Sequence, residues 1–434
     1  MASVPSLRVF RHSAYRYYWI MRQLTSAGRQ MTAVAIGWQA YEAARLSRTI
    51  EEAALILGLI GLAQFAPVFL LSLVGGQAAD RFDRKLILLT ASGVRALSQG
   101  ALILTVFMPA EQSLPYLFFI SGVLGTVNAF TPAASSALYP TLVPRSELPM
   151  AIAWNSLGFQ CAAIAGPAFG GFIYALGPEY VHGTASLMSL IAIMSLSFAK
   201  TPKHKPVENA RGVSMVIDGL RYIRDNKIVL GAISLDLVVV FFGGAIALLP
   251  VFAKDILGVG ADGLGLLRAA PAVGAAFVAL SFTIKPLTRN IGKWMFAAIV
   301  VYGASTLIFG LSNIFLLSLV ALGVGGSADM ISVYVRSSLV QLATPDEMRG
   351  RVSSVSFIFI SASNELGEFE SGVAARFLGP IGAVILGGTV AILTAGVWTR
   401  LFPQLWNADK IEDTETFLSQ ETPQSSRIGA VKAS

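Results

Sequence analysis

The sequence predicts an all-α membrane protein in which twelve transmembrane helices form two pseudo-symmetric bundles of six. Hydrophobic residues make up 54% of the chain and charged residues only 13%, about half the charge of an average soluble domain. The mean hydropathy is +0.66. Apolar runs of about 20 residues, the length that crosses a bilayer, follow one another along the 434 residues. Composition and run length together therefore predict a multi-pass membrane protein.

The apolar runs are separated by charged residues or by residues that end helices. Gly177-Pro178 and Gly379-Pro380 each mark a break, and so does Pro109 followed by Glu111. On this basis we predict spans at residues 17–43, 53–75, 86–108, 115–139, 151–176, 183–199, 229–252, 263–284, 291–311, 314–342, 352–377 and 380–401.

The longest break between spans, residues 200–228, divides the predicted helices into two groups of six. Apolar and basic residues fall on opposite faces of a predicted helix in this segment, which is typical of a helix lying on a membrane surface. Its apolar face is Met215, Ile217, Leu220 and Ile223, and its basic face is Arg221, Arg224 and Lys227. We predict an N-terminal bundle (1–199), this cytoplasmic linker (200–228), a C-terminal bundle (229–402) and a disordered cytoplasmic tail (403–434).

The basic residues between the spans predict the orientation. If the N-terminus is cytoplasmic, the opposite side holds only Arg45, Arg48 and Lys254. Because basic residues beside spans stay in the cytoplasm, both termini are predicted to be cytoplasmic. This placement accounts for the net charge of +7 without a nucleic-acid partner.

Residues 76–85, between the second and third spans, carry a charged motif: Gly76, Asp80-Arg81 and Arg84-Lys85. The segment resembles the G-x-x-x-D-R-x-G-R-[RK] signature of major facilitator superfamily transporters, which implies the fold of that superfamily. An ordinary positively charged loop is the alternative, but it does not account for Gly76 or Asp80.

The resemblance also implies a cytoplasmic gate. Asp80 would face the N-terminus of the eleventh helix near Arg351, where the helix dipole favours negative charge. Arg81 and Arg84 would then pair across the closed gate. The motif departs from the family once, with Asp83 where the family usually has glycine.

A second motif lies in the fifth span. Gly166, Pro167, Gly170 and Gly171 resemble the G-P-x-x-G-G core of the antiporter motif in drug/proton exporters. The alternative is generic packing, since Gly166 and Gly170 also form a GxxxG surface for close helix contact.

Three further stretches resemble the enterobactin-exporter-like, or transmembrane secretion effector, branch of the superfamily. They are residues 129–156, residues 345–352 and the opening residues 10–19. This resemblance implies a bacterial cytoplasmic (inner) membrane. Residues 116–139 contain no Arg, Lys or His, although many drug exporters carry a basic residue in that helix.

Ionisable side chains within the spans are candidates for coupling, because an unpaired charge in a membrane is costly. Glu365 and Glu368 are three residues apart and share a helical face, an arrangement suited to carrying a proton. The proton-coupling candidates are Glu368, Glu365, Asp236 and Asp329. Their possible charge partners are Arg22, Arg29, Arg95, Arg336 and Arg376. The alternative role for each acid is a structural salt bridge, for example to Arg22 or Arg95.

These patterns favour a proton-coupled exporter of small amphipathic, drug- or siderophore-like molecules that works by alternating access. The alternatives are a lipid or lysolipid flippase or a facilitator of the same fold without proton coupling, and a non-transporting membrane sensor. No nucleotide-binding, zinc-protease or serine-hydrolase motif occurs, so no enzyme activity, cofactor or metal is predicted. The single cysteine, Cys161, excludes an intramolecular disulfide. The expected partners are the lipid bilayer, the small-molecule substrate and protons, and the chain is expected to be monomeric.

Overall fold

The computed structural model describes residues 7–202, 212–243, 245–285 and 287–409, and all regular structure in these ranges is helical. The predicted all-α fold class is therefore confirmed. The helices are α1 (Ser13–Arg45), α2 (Ile50–Arg81), α3 (Arg84–Val106), α4 (Ala110–Leu138), α5 (Leu148–Leu176), α6 (Pro178–Ser197), α7 (Gly212–Asp225), α8 (Lys227–Phe242), α9 (Ala261–Ile284), α10 (Ile291–Leu311), α11 (Phe315–Leu342), α12 (Asp346–Leu401) and α13 (Pro403–Trp406).

Within the described ranges, ten helices are long and apolar enough to cross a membrane. Helix α1 has the length, at 33 residues, but carries Arg16, Arg22 and Arg29. Helix α12 is 56 residues long and holds two spans, because its backbone breaks at Gly379 (φ 74°) before Pro380. Proline lacks the N–H that a continuous helix needs. With α1 and both arms of α12 (346–378 and 380–401), the spans number the twelve that the sequence predicts.

The seventh span departs most from its prediction of an unbroken run over 229–252. Helix α8 ends at Phe242 and is followed by a 3-10 turn (Ala245–Leu248), one α-turn (Leu249–Val251) and a π-helical turn (Phe252–Ile256). Gly243 follows α8, and Pro250 lies in the next turns. Glycine weakens a helix and proline removes a backbone donor, so the apolar run continues while the regular helix does not.

Two helix starts follow from side-chain capping. Thr49 accepts a hydrogen bond from the Glu52 backbone N–H, and the Glu52 carboxylate accepts one from the Thr49 N–H, which forms a capping box for α2. The Asp83 carboxylate accepts a hydrogen bond from the Lys85 N–H at 2.8 Å and caps α3. The aspartate that departs from the family signature thus has a local role in starting a helix.

Helices α1–α6 form the N-terminal half and α8–α13 the C-terminal half, and the halves meet where α2 packs on α12 and α5 on α9. We call the helix ends that carry residues 81–84, 142–147, 198–202, 212–227 and 343–351 the linker end, and the other ends the opposite end. At the opposite end both halves share one hydrophobic core, which includes Tyr41 and Leu57 with Leu248 and Leu264. Among the described residues, the other core clusters each belong to one half, apart from linker residue Ile223.

Helix α7 lies in the predicted linker and packs against the start of α12. Ile223 is buried there beside Val352 and Val355. Ile217 is 51% exposed and Leu220 41% exposed. One part of the predicted apolar face is therefore covered by protein, and the other part faces outward. The side chain of Met215, the fourth member of that face, is not among those that the structure describes.

The start of the predicted disordered tail is instead structured. Helix α13 packs on α10, with Leu405 fully buried and the rings of Trp406 and Phe296 5.7 Å apart. The Asp409 carboxylate accepts a hydrogen bond from the Asn290 N–H at 2.9 Å. Two apolar side chains thus anchor a segment whose neighbours are polar. Residues 410–434 lie outside the described residues.

Candidate functional site

A central cavity lies between the two halves, near the middle of the helices. Its volume is about 70 Å³, well below the roughly 300–1,000 Å³ of pockets that hold drug-sized ligands. It is lined by Arg29, Thr32, Ala33, Ile36, Gly37, Leu57, Ile60, Gly61, Gln64, Arg95, Gln99, Leu124, Asn128, Ala247, Pro250, Arg268 and Glu368. In this conformation the cavity has room for little more than water.

The N-terminal half contributes basic and neutral polar groups to this cavity. Arg95 on α3 is 5% exposed and donates a hydrogen bond to Asn128 Oδ1 on α4 at 2.9 Å. Gln99, one turn further along α3, donates to the Thr32 hydroxyl on α1 at 2.9 Å. Arg29 lines the same cavity from α1. Two of the predicted charge partners therefore meet here, held by helices of one half.

The C-terminal half contributes Glu368 and Arg268. Glu368 faces Gly61 of α2, where an added Cβ would lie 3.2 Å from Glu368 Oε2. Glycine at that position is thus what lets the carboxylate approach α2 closely. Among the described residues that line the cavity, Glu368 is the single acid. The structure therefore places Glu368, a predicted coupling residue, among arginines. The side chain of Glu365, the other predicted glutamate, is not among those that the structure describes.

A second charged cluster lies within the C-terminal half. Arg336 Nη1 is 2.5 Å from Asp236 Oδ1, and their side chains are 10% and 6% exposed. Asp329 and Tyr302 line the same small cavity as this pair. The partner of Asp236 is thus Arg336, rather than Arg22 or Arg95, which belong to the other half.

The other two predicted charge partners lie outside the central cavity. Arg22 on α1 donates a hydrogen bond to the Ser135 hydroxyl at 2.8 Å, and Ser135 also bonds Tyr18. Arg376 on α12 forms an ion pair with Glu52 of α2 at 3.2 Å. Arg376 therefore joins the halves at the opposite end instead of pairing with Glu368 on its own helix.

Further ion pairs close the opposite end. Lys254 is 3.1 Å from Glu42, and Arg45 is 3.4 Å from Asp255, which also accepts a hydrogen bond from the Tyr41 hydroxyl. Each contact joins α1 to the segment after α8. At the opposite end the two halves are thus joined by charge pairs that surround the shared apolar core.

The antiporter-like motif on α5 serves as a packing surface in this conformation. An added Cβ on Gly170 would lie 2.9 Å from Met31 Cα on α1, and one on Gly171 would lie 2.9 Å from Gly265 Cα on α9. Gly166 likewise packs against α1, and Pro167 is buried within α5. The glycines thus let α5 approach a helix of each half, as both interpretations of the motif require.

The gate motif contacts neighbouring helices of the N-terminal half. Arg84 donates hydrogen bonds to the Ala79 and Ala137 carbonyls at 3.1 and 3.0 Å. Lys85 donates to the Ser197 and Ala199 carbonyls at 2.9 and 2.7 Å. These basic side chains therefore hold the ends of α2, α4 and α6 together.

Gly76, the glycine of the motif, does not make a close helix contact in this conformation. An added Cβ on Gly76 would meet no atom within 4 Å, whereas Gly75 packs directly against the Ala129 carbonyl of α4. The close helix contact thus falls on Gly75. Arg81 is exposed, and Asp80 is partly buried.

Arg351, the predicted partner of the gate, lies near the start of α12 and contacts α7 in this conformation. Its Nη1 is 3.0 Å from Asp218 Oδ2, and an added Cβ on Gly219 would lie 2.8 Å from the Arg351 carbonyl. The Tyr222 hydroxyl donates to the Ala343 carbonyl at 2.5 Å. The contact between Asp80 and the start of α12, which is the predicted eleventh span, stays a prediction. It concerns a conformation in which the linker end closes.

Sequence reasoning missed the neutral members of the cavity and the partner of Arg351. Gln64, Gln99 and Asn128 interrupt apolar runs, and such polar residues within spans were the available signal. Asp218 on α7 gave no signal, because a single acid in an amphipathic helix is ordinary.

Comparison with known proteins places the chain among transporters. A family described as "Transmembrane secretion effector" matches residues 4–427. The enterobactin exporter EntS of Escherichia coli O1:K1 / APEC is 26% identical over 386 residues, which cover 88% of this chain and 86% of that protein. The EntS of Citrobacter koseri is 25% identical over the same shares.

Solved structures with the same fold are transporters too. A D-xylose–proton symporter superposes with a TM-score of 0.66 at 14% identity, over 91% of this chain and 98% of that one. The POT family transporter PepTSo superposes with a TM-score of 0.70 at 12% identity, over the same shares. At such low identity these likenesses bear on the fold alone.

Proposed function

The chain belongs to the transmembrane secretion effector family of the major facilitator superfamily, and on that premise we propose that it exports small amphipathic molecules by alternating access, coupled to proton entry. Membership makes it a multi-pass secondary transporter that exports small molecules, not an enzyme. The proposal adds the type of cargo, the mechanism and the coupling ion.

The distribution of the hydrophobic cores supports alternating access. The halves share one core at the opposite end, and their cores at the linker end are separate. Because packed interfaces tend to have discrete arrangements, exchanging the shared core for a contact at the linker end would expose the central cavity to the other side. We take the linker end as cytoplasmic, since the basic linker lies there.

A crosslink across the opposite end tests this mechanism. In a Cys161→Ser background, Glu52→Cys and Arg376→Cys replace an ion pair that joins the halves at 3.2 Å. A short bifunctional thiol reagent that joins these cysteines should abolish transport in proteoliposomes, because the opposite end could no longer open. Undiminished transport after complete crosslinking would contradict alternating access.

The control crosslink lies within one half. His12 and Glu147 form a pair of similar length, 3.1 Å, inside the N-terminal half. Crosslinking His12→Cys to Glu147→Cys in the same background should leave transport within about twofold of the uncrosslinked protein, since this half moves as a body.

The position of Glu368 supports proton coupling. Among the described residues that line the central cavity it is the acid, and Arg268 of its own half and Arg95 and Arg29 of the other half line the cavity with it. Protonating it would remove the negative charge that faces those arginines. A change of charge at an interface between moving halves can bias their equilibrium.

Substitution of one carboxylate separates a coupled exporter from a facilitator. Glu368→Gln should retain binding of cargo but lose the dependence of export on a pH gradient. Glu370→Gln is the control, because Glu370 lies on the same helix and does not line the cavity. Retained pH-gradient dependence in Glu368→Gln would remove the coupling role from Glu368.

The cargo proposal follows the relatives. Their name states that they export enterobactin, so enterobactin is the first compound for the proteoliposome assay, followed by other siderophores, macrolides and lysolipids. A true ligand should raise the melting temperature of the purified protein. A preference for lysolipids, without pH-gradient dependence, would instead support a flippase.

A further inference from the structure

We propose that a second cavity, lying wholly within the C-terminal half, is the subsite that first receives cargo from the linker end, and that it binds uncharged amphipathic molecules. This inference rests on the proposed export function. The cavity lies between the middle of α8, the end of α11 and the first arm of α12. Every described residue that lines it belongs to the C-terminal half.

Size and access distinguish this cavity from the central one. Its volume is about 260 Å³, against about 70 Å³ for the central cavity. Ser337, Gln341, Ser353 and Ile360 line it and are exposed, so it communicates with the surface near the linker end. Its volume lies just below the roughly 300 Å³ at which pockets for drug-sized ligands begin, so a compact ligand that extends through its open side fits here and not in the central cavity.

The wall of the cavity fixes where a polar group would bind. The Asp236–Arg336 ion pair, 2.5 Å long and almost fully buried, forms its polar side. The Ser356 hydroxyl is also buried and has no hydrogen-bond partner among the described residues. A buried hydroxyl without a partner is costly, but this oxygen has almost no accessible surface, so the ion pair is the polar group that a ligand in the cavity meets.

The charges of this wall favour an uncharged ligand. Asp236 and Arg336 neutralise each other, so an ionised group would meet a like charge as well as an unlike one. An amide or hydroxyl can instead accept a hydrogen bond from the arginine and donate one to the carboxylate. Hydroxyl, amide or phenol groups are therefore the polar chemistry that fits.

The remaining wall is apolar and suits the body of such a molecule. Ile233, Leu237, Val333, Phe359 and Ile360 line it, and pockets that combine an apolar wall with a few placed polar groups are typical ligand sites. Cargo contacts and coupling charges would thus be separated, with cargo entering here and Glu368 acting in the central cavity.

Chloramphenicol has the required chemistry, with an aromatic ring, an amide, two hydroxyls and no net charge, and serves as the probe. Equilibrium dialysis of the radiolabelled compound with purified full-length protein should show saturable binding. Ser356→Phe fills the cavity and should weaken binding at least about tenfold. Ser136→Phe, at an exposed serine of α4 outside both cavities, should bind within about twofold of wild type.

A labelling experiment covers the case in which Ser356→Phe does not fold. Ile360→Cys in the Cys161→Ser background places a thiol at the cavity, and the exposed Cys161 of the wild type is the control. Saturating chloramphenicol should slow maleimide labelling of Ile360→Cys at least about fivefold and leave Cys161 labelling unchanged.

Three results would overturn the subsite: no saturable binding to the wild type, wild-type affinity in folded Ser356→Phe, or unprotected labelling of Ile360→Cys. None of them affects the crosslinking result between Glu52→Cys and Arg376→Cys. Loss of this subsite and loss of alternating access are therefore distinguishable.

Discussion

The contact between Gly372 of α12 and Gly58 of α2 holds the two halves together at the opposite end. An added Cβ on Gly372 would lie 2.8 Å from Gly58 Cα and 3.1 Å from the Ala54 carbonyl oxygen. These are backbone atoms of another helix, which cannot rotate away as a flexible side chain can. Gly372→Ala should therefore push α2 and α12 apart in the present conformation.

The size of the effect follows from the cost of overpacking. Extra carbon in a close-packed contact costs about 1–3 kcal/mol. The cost applies to the conformation in which α2 and α12 touch, and opening of the opposite end relieves it. The equilibrium between the two conformations should shift toward opposite-end opening by roughly 5- to 150-fold.

A buried reporter cysteine measures this shift. Ala375 is fully buried in the shared core, so Ala375→Cys in the Cys161→Ser background should react slowly with a membrane-impermeant maleimide. Gly372→Ala should raise that rate at least about fivefold. Gly396→Ala is the matched control on the same helix, because its added Cβ meets no atom within 4 Å, and it should change the rate less than about twofold.

A second reporter separates opening from unfolding. Ala192 is fully buried in the separate core of the N-terminal half at the linker end, so Ala192→Cys should stay protected when only the opposite end opens. The reasoning is refuted if Gly372→Ala leaves the Ala375→Cys rate unchanged. It is refuted as well if both reporters become reactive together.

Three further substitutions test contacts outside that interface. Asp236→Asn leaves the buried Arg336 without its charge partner and should cost about 3–5 kcal/mol, measured as a lower melting temperature that Arg336→Met in the same chain partly restores. Asp83→Ala removes the cap of α3 and should cost about 0.5–2 kcal/mol, with faster hydrogen exchange in its first turn; Asp83→Asn should exchange like the wild type. Asp218→Asn breaks the half-exposed pair with Arg351, worth about 1 kcal/mol or less, so hydrogen exchange in α7 should rise while the melting temperature stays constant. Unchanged exchange in α7 would show that its packing, not the ion pair, holds it.

The spans and the superfamily could be predicted from the sequence because both depend on local features. A bilayer sets the length of an apolar run, and the break at Gly379-Pro380 follows from the backbone chemistry of two adjacent residues. The motif at residues 76–85 indicated the superfamily through residue types and spacing alone. The interrupted seventh span was missed, since hydropathy measures apolar length and not helical regularity.

The partners of the charged residues were decided by the tertiary structure. The sequence placed Glu368, Asp236 and Arg376 on spans, but the fold put Glu368 among arginines, Asp236 against Arg336, and Arg376 against Glu52. Pairing depends on how each helix is rotated and which neighbour it meets, and hydropathy does not fix either. The sequence by itself thus determined the kind of protein and its helices, whereas the packing of the two halves decided which charges face the cavity and which hold the opposite end closed.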